Sequence, residues 1–477
     1  MRSSIMCVAA VTIISFALGA SAQEAPAGGT SKALLEQATE PTAQAGYIYV
    51  PESSKERPED KGLRFHTTYV VHSVDGNKPS GLKTPTAQAI VTPLGTIEEA
   101  ETPQSLGCLY LASPSSPGCV PNYDAGSGGP SAGGYGVIAL VDAYDNPDAA
   151  TDMETFDSYW GLATANFTKV YANGNGSCKT PPANADWSVE ESLDIEWAHV
   201  FAPSAAIVLV EACSSSITDL LYAEQVAFNY IVTNYSTTGG QVSNSWQGSE
   251  FTGQLGDDAL FADFTYNFAT GYKTPILAFA SSGDGGYGVG YPSTNPWVVS
   301  AGGTSILRTA STLKFSSESC WGGSGGGPSA IETYVNSYTG GNTGSWADYQ
   351  YPLVGQSNRA TPDMSFDADP ASGVYIFNKY NYGGWGVVGG TSVASPALAS
   401  IVNRAGNRLG SVFLTPATGG SDYFANAENT LVYSQLATAK AYKSNFYDVK
   451  TGSNGSSAVA SWDYCTGVGS PRGLLGK

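Results

Sequence analysis

The run Gly389-Gly390-Thr391-Ser392-Val393-Ala394-Ser395-Pro396 leaves the backbone few choices. Two glycines permit a sharp turn where a Cβ would clash, Thr391 and Ser392 belong at a helix N-terminus, and Pro396 is tolerated in a first helical turn. With the small residues Val393, Ala394, Ala397 and Ala399 following, the segment predicts a glycine turn into a buried helix that presents Ser392 to a cleft. Unpaired N–H groups and the positive end of the helix dipole there favour a developing oxyanion. A simple Ser/Thr cap is the structural alternative.

A serine nucleophile needs a base, ordinarily a histidine oriented by an acid. The chain has three histidines. His66 and His72 lie in Arg64-Phe65-His66-Thr67-Thr68-Tyr69-Val70-Val71-His72, whose alternation predicts a strand ahead of the main domain. His199 sits on a predicted helix, five residues beyond Asp194, without the glycine context of a catalytic histidine. None is a good partner for Ser392.

Carboxylates are better placed. In the segment 187–196, Ser188 and Glu191 match a capping box, with Ser188 as N-cap. Glu190 and Asp194 are then i and i+4 on one helical face, where like charges repel unless one is protonated. Either they serve a site or they form a solvated acidic face. A third acid, Asp284, ends the apolar run Ile276–Ala280 within Ser281-Ser282-Gly283-Asp284-Gly285-Gly286. Such a run predicts a buried parallel strand, whose C-terminal edge is where sites collect, although an Asp-Gly turn is the local alternative. Asp142, ending the run Val137–Val141, either assists the site or caps a loop.

These blocks, in this order, resemble the sedolisins, the serine-carboxyl peptidases that share the subtilisin fold. The resemblance covers residues 102–477 and rests on Glu190 and Asp194 followed by Ala202, Pro203, Ala205 and Ile207, on SSGD ending at Asp284, on GGTS ending at Ser392, and on a C-terminal block. It implies an α/β, subtilisin-like fold: a mainly parallel, twisted sheet with helices on both faces. It implies Ser392 as nucleophile, Glu190 as general base, Asp194 as the group that orients Glu190, and a protonated Asp284 as oxyanion donor, a set that works in acid. Ser245, Trp246, Gln247 and Gly248 resemble the extended segment that pairs with substrate, with Gln247 where the family more often has glycine. In the C-terminal block, Asp448 and Asp463 with the carbonyls of Val449, Val459 and Ser461 resemble a structural calcium (Ca2+) site, a pair of turn aspartates being the alternative.

Residues 1–22 carry an arginine, an apolar stretch and the ending Ala20-Ser21-Ala22, which predicts a signal peptide and a secreted, extracellular protein. Residues 23–101 are expected to be a short N-terminal extension or reduced propeptide, and 102–477 the peptidase domain. A formal charge of −19 disfavours nucleic acid and anionic membrane partners; a monomer acting on proteins or peptides is expected. Six cysteines follow the predicted leader and allow three disulfides; Cys108 with Cys119 is the easiest pair to propose, the others staying open. The expected activity is endopeptidase. A tripeptidyl-peptidase-type exopeptidase and a non-enzymatic secreted binding protein on the same scaffold are the alternatives.

Overall fold

The computed structural model describes residues 47–73, 81–86, 89–91, 96–112, 114, 116–265, 274–333, 349–350, 354–355, 358–406, 409–414 and 423–477. The predicted signal peptide lies outside them. Three short strands come first, β1 (Tyr47–Tyr49), β2 (His66–Thr67) and β3 (Val70–Ser73). The main sheet is then built from β4 (Val137–Ala143), β5 (Asn166–Ala172), β6 (Ala206–Ala212) and β7 (Gly240–Asn244). The chain leaves it briefly in β8 (Trp246–Ser249) and returns with β9 (Ile276–Ser281), β10 (Val298–Thr309) and β11 (Met364–Asp367). Two further strands, β12 (Val374–Asn378) and β13 (Gly384–Gly389), lead to the Ser392 turn.

Seven of these strands are parallel, in the spatial order β11-β10-β9-β7-β4-β6-β5. Every residue of β4, β6 and β9 is buried, as expected when helices cover both faces and the strand reads as one apolar run. Alternation decides which residue faces which layer. Val137, Ala139 and Val141 pack with Leu220, Ala227 and Phe228 of one helix layer, whereas Ile138 and Leu140 meet Met153, Ile195 and Ala198 of the other. The helices that matter here are α1 (Ala149–Trp160), α2 (Ala185–Phe201), α3 (Ile217–Asn234) and α4 (Thr391–Ala405). None of the described helices is long and apolar enough to cross a membrane.

One expectation changes. Helix α2 begins one turn earlier than the capping box implied: Asn184 is the N-cap, its side chain accepting from the N–H groups of Asp186 (3.0 Å) and Trp187 (3.1 Å). Ser188 lies inside the first turn and turns its hydroxyl to the Ala185 carbonyl at 2.7 Å, so Glu191 is free of any capping duty.

The described residues ahead of 102 pair with strands of the later sequence. Strand β3 pairs antiparallel with β13 (Val71 opposite Val388, Val70 opposite Gly389), β2 pairs with β8, and residues 96–99 pair with the end of β10. Glu101 holds Arg308 through two bonds, Nε–Oε1 at 2.6 Å and Nη2–Oε2 at 2.5 Å, with both side chains fully buried. The stretch is therefore part of the same folded body. Three disulfides join Cys108 to Cys119, Cys178 to Cys213 and Cys320 to Cys465.

Candidate active site

The parallel register sets the site at one sheet edge. Val141 and Ala280 both lie level with Asn244, so Asp142, Ser245 and Ser281 emerge together where β4, β7 and β9 end. Helix α4 delivers Ser392 to the same edge. Its N-cap Gly390 has φ 102°, and a Cβ there would lie 2.3 Å from the Thr68 carbonyl oxygen and 2.5 Å from Asp284 Oδ2, so only glycine fits.

Asp284 caps α4 from outside the helix. Its Oδ1 accepts the Thr391 N–H at 2.8 Å and the Thr391 hydroxyl at 2.9 Å. Oδ2 has no partner. Burial pushes the carboxyl up to about 7, against the two Thr391 bonds, which pull it down. Asp284 is thus a neutral acid through most of the acid range, with one oxygen aimed at the same small space as the Thr68 carbonyl.

Helix α2 is buried along its whole length from Trp187 to Phe201, acids included. Glu190 lies far above the ordinary carboxyl range because it is desolvated, and because Asp194 and Asp142 are close by. The Ser392 hydroxyl offsets a little of that rise, although neither Glu190 oxygen is in hydrogen-bonding geometry with it. Asp194 is likewise raised by burial and by Asp142, and accepts the Ser245 hydroxyl at 2.7 Å. Asp142 is fully buried, raised by desolvation, and without a hydrogen bond at either oxygen. The structure therefore brings together all four acids of this edge with Ser392. Asp142 is the member that local sequence left undecided.

No histidine joins them. His199 gives Nε2 to the Ala163 carbonyl at 2.7 Å within the core, and His66 bonds the Thr67 carbonyl through Nδ1 at 3.2 Å.

The cleft over Ser392 is filled by the chain itself. Residues 65–70 run through it extended. Thr67 and His66 lie opposite Trp246 and Gln247 in the β2–β8 pair, and the Thr68 N–H donates to the Ser245 carbonyl at 3.3 Å. The Ser392 N–H donates to the Thr68 carbonyl at 2.9 Å. Thr68 Oγ1 is 2.6 Å from Ser281 Oγ and 2.9 Å from Ser392 Oγ. Phe65 stacks on Trp246 with ring centroids 4.8 Å apart, and it lies so close to Gly248 that a Cβ there would meet its ring at 2.8 Å. Gln247 folds over Gly283 and Gly290, where its amide would collide with any added Cβ. All four residues expected to line a peptide subsite thus hold an extended peptide, and it is residues 65–68.

Among the expected calcium ligands, Asp448, Ser461 and Asp463 are joined to their neighbours by hydrogen bonds. Asp448 Oδ1 accepts the Ser461 N–H (2.8 Å) and the Tyr442 hydroxyl (3.0 Å), and Asp463 accepts the N–H groups of Val459, Cys465 and Thr466. The Tyr442 oxygen sits 2.9 Å from the Ser461 carbonyl and 2.8 Å from the Val468 carbonyl. Ca2+ takes six to eight oxygens at about 2.3–2.6 Å. The Tyr442 hydroxyl between Asp448 Oδ1 and the Ser461 carbonyl, and the three backbone donors on Asp463, fit that shell poorly.

Comparison with models of known protein families gives no match. Kumamolisin of Bacillus sp. (strain MN-32) is 28% identical over 363 residues, covering 71% of this chain and 58% of that protein. Sedolisin of Pseudomonas sp. (strain 101) is 28% identical over 388 residues, covering 73% and 58%. The chain thus spans just under three fifths of the length of these relatives. Among solved structures, Pseudomonas sedolisin, described as a serine-carboxyl proteinase and complexed with two molecules of pseudo-iodotyrostatin, superimposes with a TM-score of 0.57 at 24% identity, covering 78% of this chain and 96% of that one. The two share one fold. In sequence the chain is similar to kumamolisin and sedolisin over about seven tenths of its length.

Proposed function

We propose that the protein is a secreted serine-carboxyl endopeptidase that cleaves peptide bonds in acid. The observation that carries this reading is the gathering of Ser392, Glu190, Asp194 and Asp284 at one sheet edge with no histidine among them. Ser392 attacks the peptide carbonyl and gives its proton to Glu190, which passes it to the leaving amine. Asp194 fixes Glu190 and shares its proton, with Ser245 holding Asp194 in turn. The oxyanion is met by the Ser392 N–H and by neutral Asp284.

The raised position of Glu190 belongs to a cleft closed by residues 65–70. Water entering with an open cleft relieves the desolvation and returns the carboxyl toward its ordinary range, so that it ionises in moderate acid while Asp284 is still protonated. Endopeptidase action is favoured over tripeptide removal because the cleft accommodates an internal segment of chain that continues in both directions, β2 on one side of Ser392 and β3 on the other. Digestion of casein at pH 4, followed by sequencing of the products, is expected to give fragments from internal cuts at scattered positions. Stepwise release of tripeptides alone would refute endopeptidase action, and no hydrolysis from a folded, open-cleft protein would favour the binding protein.

For the C-terminal block, the Tyr442 hydroxyl takes the place of the cation that the resemblance implies. Melting curves with chelator and with added calcium are expected to superimpose on those without; a rise of several degrees with calcium would return the ion to this site.

A further inference from the structure

We propose that Gln247 closes the pocket that receives the side chain just ahead of a substrate's scissile bond, so that the protein cuts after threonine or serine and not after aromatic residues. The inference rests on the peptidase reading above and adds a substrate class to it. Residues 65–68 show where the side chains of an extended peptide fall in this cleft. The Thr68 carbonyl oxygen accepts the Ser392 N–H at 2.9 Å. That oxygen and the unpartnered Oδ2 of Asp284 lie on the same Gly390 surface, each within 2.5 Å of the point a Cβ would occupy. Thr68 therefore occupies the place of the residue whose carbonyl a serine at this position would attack.

Strand geometry then assigns the faces. Side chains directly opposite each other in an antiparallel pair point the same way, and successive ones alternate. Thr67 lies opposite Trp246 and His66 opposite Gln247. Phe65 and Thr67 thus project on the Trp246 side, in keeping with the stack of Phe65 on Trp246, and Thr68 projects on the Gln247 side. There the Thr68 hydroxyl reaches Ser281 Oγ at 2.6 Å, at the end of β9.

On this face two glycines leave a gap that a longer side chain would enter: Gly283, just after β9, and Gly290, which pairs with Ser249 of β8. The Gln247 amide lies in that gap. A Cβ on Gly283 would strike its nitrogen, and one on Gly290 would come within 2.5 Å of its oxygen. That oxygen is shielded from solvent and has no hydrogen-bond partner, so the amide fills the space without being tied to it. Threonine and serine stop short of the amide and place a hydroxyl on Ser281. A phenylalanine ring needs the volume that the amide holds, and it gives the buried Ser281 hydroxyl no bond in return. Glycine at position 247 would leave the gap empty.

The test uses the full chain and the Gln247→Gly and Gln247→Ala variants at pH 4. Synthetic peptides identical except for threonine, serine, valine or phenylalanine at one central position compete in one mixture, and mass spectrometry reads the position and rate of each cut. Ratios measured in competition do not depend on how much of the protein has an open cleft. The unaltered protein is expected to cut after threonine and serine about tenfold or more faster than after phenylalanine, with valine, which has threonine's shape but no hydroxyl, in between. In Gln247→Gly the phenylalanine-to-threonine ratio should rise about tenfold or more, and in Gln247→Ala by less. Phenylalanine cut as readily as threonine by the unaltered protein overturns the closed pocket and leaves the peptidase reading standing, and this arm needs no variant to fold. A ratio unchanged in both variants while cutting continues removes Gln247 from the account. Valine cut as fast as threonine overturns the part given to Ser281. If no peptide and no casein is cut, the peptidase reading falls and this inference with it.

Discussion

Ser392→Ala removes measurable peptide hydrolysis, a loss of about ten-thousandfold or more in kcat/KM, and Glu190→Gln comes close to it. The two losses do not add. With no nucleophile the base has nothing to deprotonate, so the double variant is expected to be no worse than Ser392→Ala alone. Glu190→Gln is the more informative change. It keeps the side chain's size within the fully buried helix α2 and removes only the capacity to take a proton. A glutamine variant retaining more than about a tenth of the activity would mean that Ser392 is activated by another group, with Asp142 the first to examine, since it faces the same cluster. Steady-state hydrolysis of an unstructured peptide, after the cleft has opened, reads both numbers.

The melting temperature is expected to be highest near pH 4 and to fall by roughly 10 °C by pH 8, the reverse of what most globular proteins show. The cause is a set of acids held protonated by the fold. Burial pushes Asp152, Asp157 and Asp284 up to about 7 and Glu224 up to about 8. Glu190, Asp194 and Glu196 are raised in the same direction. In the unfolded chain these groups ionise near pH 4. Below that pH both states are protonated and the stabilisation is complete. Between about 4 and 7 the unfolded chain releases protons that the folded one keeps, so unfolding gains ground as pH rises and the stabilisation is gone above about 8. A tenfold tighter hold on a proton in the folded state corresponds to about 1.4 kcal/mol, so even a fraction of the raised set amounts to several kcal/mol. Buried His66, His72 and His199 are pulled below their ordinary value and oppose this in acid, but they are fewer. Scanning calorimetry across pH 3 to 8 measures the trend, and a melting temperature that rises from pH 4 to 8 would contradict it.

How much of the fold and site is legible in the sequence follows from the range of the interactions involved. The Gly389-Gly390 turn, the Ser392 helix and the strand that leads to Asp284 are set by residues within a few positions of each other, and each forms where expected. The i, i+4 spacing of Glu190 and Asp194 is likewise local, and helix α2 keeps it. The helix start differs from expectation because two cap-forming residues, Asn184 and Ser188, stand one turn apart, and the burial that favours the earlier one is tertiary. Asp142 is ambiguous in the sequence for a similar reason: only the neighbouring ends of β7 and β9 show that it faces other acids rather than a loop. The least legible part is the stretch from His66 to Val71. Its alternation announces a strand, but which strands it pairs with, β8 and β13, depends on contacts some 180 and 320 residues away that no local pattern records. Tyr442 carries no sequence signal either, since its significance lies in the carbonyls of Ser461 and Val468 that gather round it.

The central claim is that a carboxylate, not a histidine, activates Ser392 while a neutral aspartic acid receives the oxyanion. The pH dependence of kcat/KM for a peptide substrate, from pH 2.5 to 8 with the cleft open, tests it most directly. The account predicts a rise through the ionisation of Glu190 in moderate acid and a loss of activity toward neutral pH as Asp284, whose carboxyl the fold raises, ionises in its turn. Activity that climbs to a plateau at pH 8 would require a base and an oxyanion donor other than these two.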